Sequence, residues 1–97
     1  MGDRRYGSRS YDWTAGQKVS YTGTDGDSTA FAFDTEVELI STTDCFVNVA
    51  VTPTAAASAG SFLLPAKERW TIQVPAGAKI SAVQLSSGGD LYILPTT

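Results

Sequence analysis

These 97 residues with 42% apolar side chains can enclose one modest hydrophobic core, so a single domain is expected in them, and they are too apolar for a disordered segment. A net charge of −3 argues against a strongly basic nucleic-acid binder, and the absence of histidine removes the commonest metal ligand and general base. No eighteen apolar residues run together and no apolar stretch follows Met1-Gly2-Asp3-Arg4-Arg5, so the expectation is a chain made in the cytoplasm with neither signal peptide nor membrane span.

Residues 1–16 show no sustained period and read as an extended arm, with residues 17–97 expected to fold as a single β domain without it. Charge divides near the same place: residues 1–18 carry four basic against two acidic side chains, residues 19–97 three against eight. The arm interleaves Arg4, Arg5 and Arg9 with Tyr6, Tyr11 and Trp13. Such residues favour interfaces, and three arginines are a thin footprint for a phosphate backbone that the acidic body would repel. These six residues are therefore the candidate partner-binding set, with a protein as partner and neither nucleic acid nor membrane.

Gln17 to Thr22 alternates polar residues with Val19 and Tyr21, as a half-buried strand does, and Gly23-Thr24-Asp25-Gly26-Asp27 reads as an acidic hairpin turn. Strands follow at Thr29 to Phe33 and at Glu36 to Ser41, the latter with Val37 and Leu39 inward and Glu36 and Glu38 outward. The run from Thr43 to Pro53 is the central strand. Cys45, Val47, Val49 and Val51 share one face, Phe46, Asn48 and Ala50 the other, and Pro53 ends it. A lone cysteine in an apolar row reads as a buried thiol.

Residues 54–60 read as a small-residue loop leading to a short strand at Phe62 to Leu64. Trp70, Ile72 and Val74 then alternate, with Trp70 expected in the core. Pro75-Ala76-Gly77 marks a turn with proline in its second place and glycine in its fourth. Ile80 to Leu85 and Leu91 to Leu94 are the last strands, joined by a hairpin over residues 86–90 and closed by Pro95. Seven to eight short strands at about ten-residue spacing predict an all-β fold: a small antiparallel β-sandwich or jelly-roll-like barrel behind an extended arm.

Catalytic chemistry has little to work with. There is no histidine, no second cysteine and no phosphate-binding glycine loop. Asp25, Asp27 and Glu36 sit at the first, third and twelfth places of a calcium-loop spacing, but Ala30 stands where the bend needs glycine, so a plain turn is the expectation. Glu36 and Glu38 read as a solubilising strand face. The chain is expected to be neither an enzyme nor a holder of metal or cofactor.

From Glu36 to Leu94 the order and spacing of several short runs resemble small tailed-bacteriophage virion structural proteins. The runs are Val37-Glu38-Leu39-Ile40, Thr43-Asp44-Cys45, Pro53-Thr54-Ala55, Leu64-Pro65-Ala66, Trp70, Ala76-Gly77-Ala78-Lys79-Ile80-Ser81 and Gly89-Asp90-Leu91. The resemblance implies a non-enzymatic part of a phage-like particle, or of a gene transfer agent: a capsid decoration protein, the base of a vertex spike or fibre, or a tail component. Its expected partners are further copies of itself, in three-fold or five-fold rings, and capsid or other virion proteins, with the virion as location. The alternative is a small carbohydrate-binding module in which Trp70 or Trp13 joins Tyr92 in an aromatic platform.

Overall fold

The computed structural model describes residues 10–52 and 61–96. They contain eight strands: β1 (Gln17–Tyr21), β2 (Gly26–Asp27), β3 (Thr35–Ser41), β4 (Cys45–Ala50), β5 (Phe62–Leu64), β6 (Trp70–Val74), β7 (Lys79–Gln84) and β8 (Gly89–Pro95). Two four-stranded antiparallel sheets result, in the orders β1-β8-β3-β6 and β2-β7-β4-β5. Strand β1 pairs with β8, β2 with β7, β3 with β6 and β4 with β5. The chain is thus one long antiparallel ribbon rolled so that successive strand pairs alternate between the sheets, the topology of a jelly roll. Among the described residues no helix is long and apolar enough to cross a membrane.

The period-two pattern of the sequence becomes the core. Val19 and Tyr21 of β1, Val37 and Leu39 of β3, Cys45 and Val47 of β4, and Leu91 and Ile93 of β8 all face inward and are buried, with Leu64, Val74 and Ile80 completing the layer between the sheets. Each such side chain contributes about 1.5–3 kcal/mol by leaving water. Inside this layer the Tyr21 hydroxyl donates to the Thr43 carbonyl (2.8 Å) and lies 2.7 Å from Thr43 Oγ1. It thereby pins the β3–β4 crossover to β1.

Several expectations change. Thr29 to Phe33 is not a strand; the strand is Gly26–Asp27, inside the expected turn. Beyond it the chain follows β7 irregularly. Ser28 donates its amide to Ile80 O and accepts the Ile80 amide on its own hydroxyl, both at 2.8 Å, so a side chain replaces the carbonyl of a regular ladder. Phe31 is buried against this segment while Phe33 is 78% exposed.

The central strand also ends early. Val49 is only partly buried and Val51 is 70% exposed, because β5 covers β4 only from Cys45 to Val47 and the last residue paired with β7 is Ala50. Pro53 and the loop at residues 54–60 lie outside the described residues.

The hairpins expected at residues 23–27 and 86–90 are instead crossovers between sheets, made by residues 22–25 and 85–88, since β1 and β2, like β7 and β8, belong to different sheets. At the first of them Gly26 passes so close to β1 that a Cβ would lie 2.3 Å from the Ser20 carbonyl oxygen. The turn before β7 is shifted by one residue from its expected frame. The Ala78 amide donates to Pro75 O (3.1 Å), which places Gly77 third with φ +85°, the type II position that demands glycine. Pro95 belongs to β8, opposite Val37.

Candidate functional site

The outer face of the first sheet carries the side chains of opposite parity to the core. Lys18 on β1, Tyr92 on β8 and Ile40 on β3 are register neighbours, and Leu94, Glu38 and Thr71 form the next row across β8, β3 and β6. Ile40 and Tyr92 are large and exposed.

Over one end of this face lies the last part of the arm. Tyr11 forms an isolated antiparallel bridge with Thr96, and the Asp12 amide donates to Pro95 O (2.9 Å). The Tyr11 hydroxyl donates to Glu38 Oε2, while Arg69 Nε sits 3.1 Å from Glu38 Oε1, so one largely covered carboxylate ties the arm and the β5–β6 link to β3. Trp13 tilts against Tyr11, ring centroids 5.4 Å apart at 59°, and remains 75% exposed.

Together these groups shape a groove of about 540 Å³. Tyr92, Ile40 and Leu94 of the outer face line it together with Tyr11, Trp13, Lys18 and Arg69. Its volume suits a small ligand, and its character is an aromatic, apolar surface with a few hydrogen-bonding groups at the edge.

Of the six residues expected to bind a partner, Tyr11 and Trp13 come together in this groove, whereas Arg4, Arg5, Tyr6 and Arg9 lie outside the described residues. Trp13 and Tyr92 line the same groove, as an aromatic platform requires. Trp70 does not join them, nor is it a core residue. It is 39% exposed and stacks flat on Phe62, centroids 4.9 Å apart at 5°, where the edge strands β5 and β6 leave one side of the sandwich open. Its row ends at the sheet margin, so its ring covers the edge of the core.

Glu38 was expected to stand in solvent; its side chain is 11% exposed, covered by Tyr11 and Arg69. Glu38, Arg69, Lys18 and Ile40 are site residues that the sequence does not single out. Strand parity alone would put Glu38 and Ile40 on one outward face, but which strand lies alongside is a matter of register.

A second groove, of about 680 Å³, is lined by Asp12, Asp34, Glu36 and Phe33 among others. Its carboxylates have structural work: Asp12 accepts the amide (3.1 Å) and hydroxyl (2.7 Å) of Thr14, Asp34 accepts the Ala76 amide (2.8 Å), and Glu36 Oε1 bonds Thr96 Oγ1 (3.0 Å). Asp25 and Asp27 do not converge with Glu36. Asp25 accepts from Ser81 Oγ (3.0 Å), and Asp27 and Glu36 belong to different sheets. Among the described residues no three of His, Cys, Asp and Glu are grouped to hold a metal ion.

Burial pushes the Cys45 thiol above its ordinary value, partly offset by the Ser41 and Tyr21 hydroxyls, and raises Tyr21 likewise against its hydrogen bonds to Thr43. Neither group is poised to react. No protein-family model matches this chain, and no curated protein matches it significantly.

Proposed function

We propose that this protein is a non-enzymatic structural component of a phage-like particle, as capsid decoration, as the base of a vertex spike or fibre, or as a tail part. It acts through contacts between its own copies and with other virion proteins. The observation that carries the reading is the number of large apolar side chains that the small sandwich leaves in water. Trp13, Ile40 and Tyr92 are exposed on the first sheet's side, Leu63 and Leu85 on the second's, and Trp70 at the open edge. A ten-kilodalton domain gains nothing from such a surface alone and is suited to having neighbours cover it. The jelly-roll topology suits a rigid assembly unit and is found in capsids, but also in lectins, so the fold by itself does not assign the role. A reconstruction of particles released by cells that make the protein tests this: density for the sandwich at regular positions on head or tail supports it, and particles that lack the protein altogether contradict it.

A specific observation favours a second reading, the small carbohydrate-binding module. Trp13 and Tyr92, from segments far apart in the chain, line one groove. In that case the purified protein binds glycans as a monomer.

A further inference from the structure

We propose that the groove on the first sheet binds an acidic glycan, with a pyranose ring seated on Tyr92 and its carboxylate held by Lys18. This rests on the second reading above. A sugar ring offers a face of C–H groups and a perimeter of hydroxyls, so a site for it needs a flat apolar floor with polar groups at the margin. Tyr92 provides the floor. It lies between Lys18 and Ile40 in the register of the sheet and is 46% exposed despite neighbours on both sides. Trp13, braced by Tyr11, stands beside it as an aromatic wall.

The charges around the floor select the class of sugar. Glu38 is already engaged by Arg69 on one oxygen and by the Tyr11 hydroxyl on the other. Lys18 is in no ion pair with any described carboxylate, and its register partner is Tyr92 itself. The groove therefore sets an uncompensated ammonium beside an exposed ring, on a body that is otherwise acidic. Lys18 is exposed and hydrated, so a neutral sugar gains nothing from it whereas a ring carboxylate gains a charge-assisted contact, and a nucleic-acid strand would bring many phosphates against the acidic body. A pyranose with a single carboxylate per ring meets both the ring and the cation.

The test is titration of the full chain, followed by calorimetry, with trigalacturonate and with neutral maltotriose. Trigalacturonate is expected to bind at least tenfold more tightly than maltotriose, to weaken about tenfold in Tyr92→Ala and severalfold in Lys18→Gln, and to weaken as salt rises. Both side chains lie on the outer face, so melting curves of the two variants should match that of the parent. Equal binding of both sugars, lost in Tyr92→Ala and untouched by Lys18→Gln, overturns the acidic assignment and leaves the module reading standing. Binding of neither sugar overturns both. Sugar binding that survives Tyr92→Ala overturns the site, and a change of solution mass in Tyr92→Ala without sugar binding makes the groove an interface between copies instead.

Discussion

Cys45 carries the clearest consequence at the scale of single residues. Its thiol is buried in the centre of the sandwich, and burial favours the protonated form. An aromatic disulfide reagent at neutral pH should leave the folded protein unlabelled and label one thiol per chain once denaturant is added; rapid labelling of the native protein would place Cys45 outside the core. The same burial sets the alkaline limit of stability. Cys45 and Tyr21 are acids whose neutral forms the fold favours, so their contribution is fully present below the unfolded-state values and is lost as pH rises toward the folded ones. From about pH 9 upward the unfolded chain releases protons that the folded chain keeps, so the melting temperature should hold through neutral pH and fall above that point. The burial of Cys45 was legible in the sequence because it follows from the parity of a strongly alternating run. Trp70 was not: the same parity assigns it inward, and only the position of β6 at the margin of its sheet leaves the ring part-exposed against Phe62.

For the strands, alternation located most of the elements and chose their inner faces correctly in β1, with Val19 and Tyr21 buried, and in β3, with Val37 and Leu39 buried. What it does not contain is the sheet to which the next strand goes. Turn chemistry at residues 23–27 and 86–90 looks alike for a hairpin and for a crossover, and only pairing between strands far apart in sequence, such as β1 with β8, decides it. The strand ends follow from the same pairing. Because β5 stops opposite Val47, an aspartate at position 47 is expected to cost several kcal/mol and abolish folding, whereas Val49→Asp should cost clearly less. Thermal denaturation of the two variants checks this; equal penalties would mean that β5 extends further along β4. At the first crossover, Gly26→Ala sets a methyl group against a backbone oxygen that cannot swing away. A loss of about 1–3 kcal/mol in urea unfolding is expected there, and an unchanged midpoint would show that β1 and β2 are not in close approach.

In the molecule as a whole, the sandwich and its arm are joined more firmly than charge and periodicity suggest. Tyr11 and Asp12 bond to Thr96, Pro95 and Glu38, so this stretch of the arm belongs to the folded body and helps shape the groove. Pairing by a single bridge leaves no period to read, which is why the sequence offers no sign of it. Deleting residues 2–9 should leave the melting transition nearly unchanged, while deleting residues 2–14 should lower stability by about 1–3 kcal/mol, the worth of two or three hydrogen bonds. Scanning calorimetry of both truncations separates them, and equal melting temperatures would make Tyr11 and Asp12 dispensable to the fold. The proposed function has other copies and a particle cover the exposed apolar surface. Its most direct test is the mass of the full chain in dilute solution by native mass spectrometry. A closed ring of three or five chains is the predicted result, and a monomer that persists as concentration is raised would contradict it.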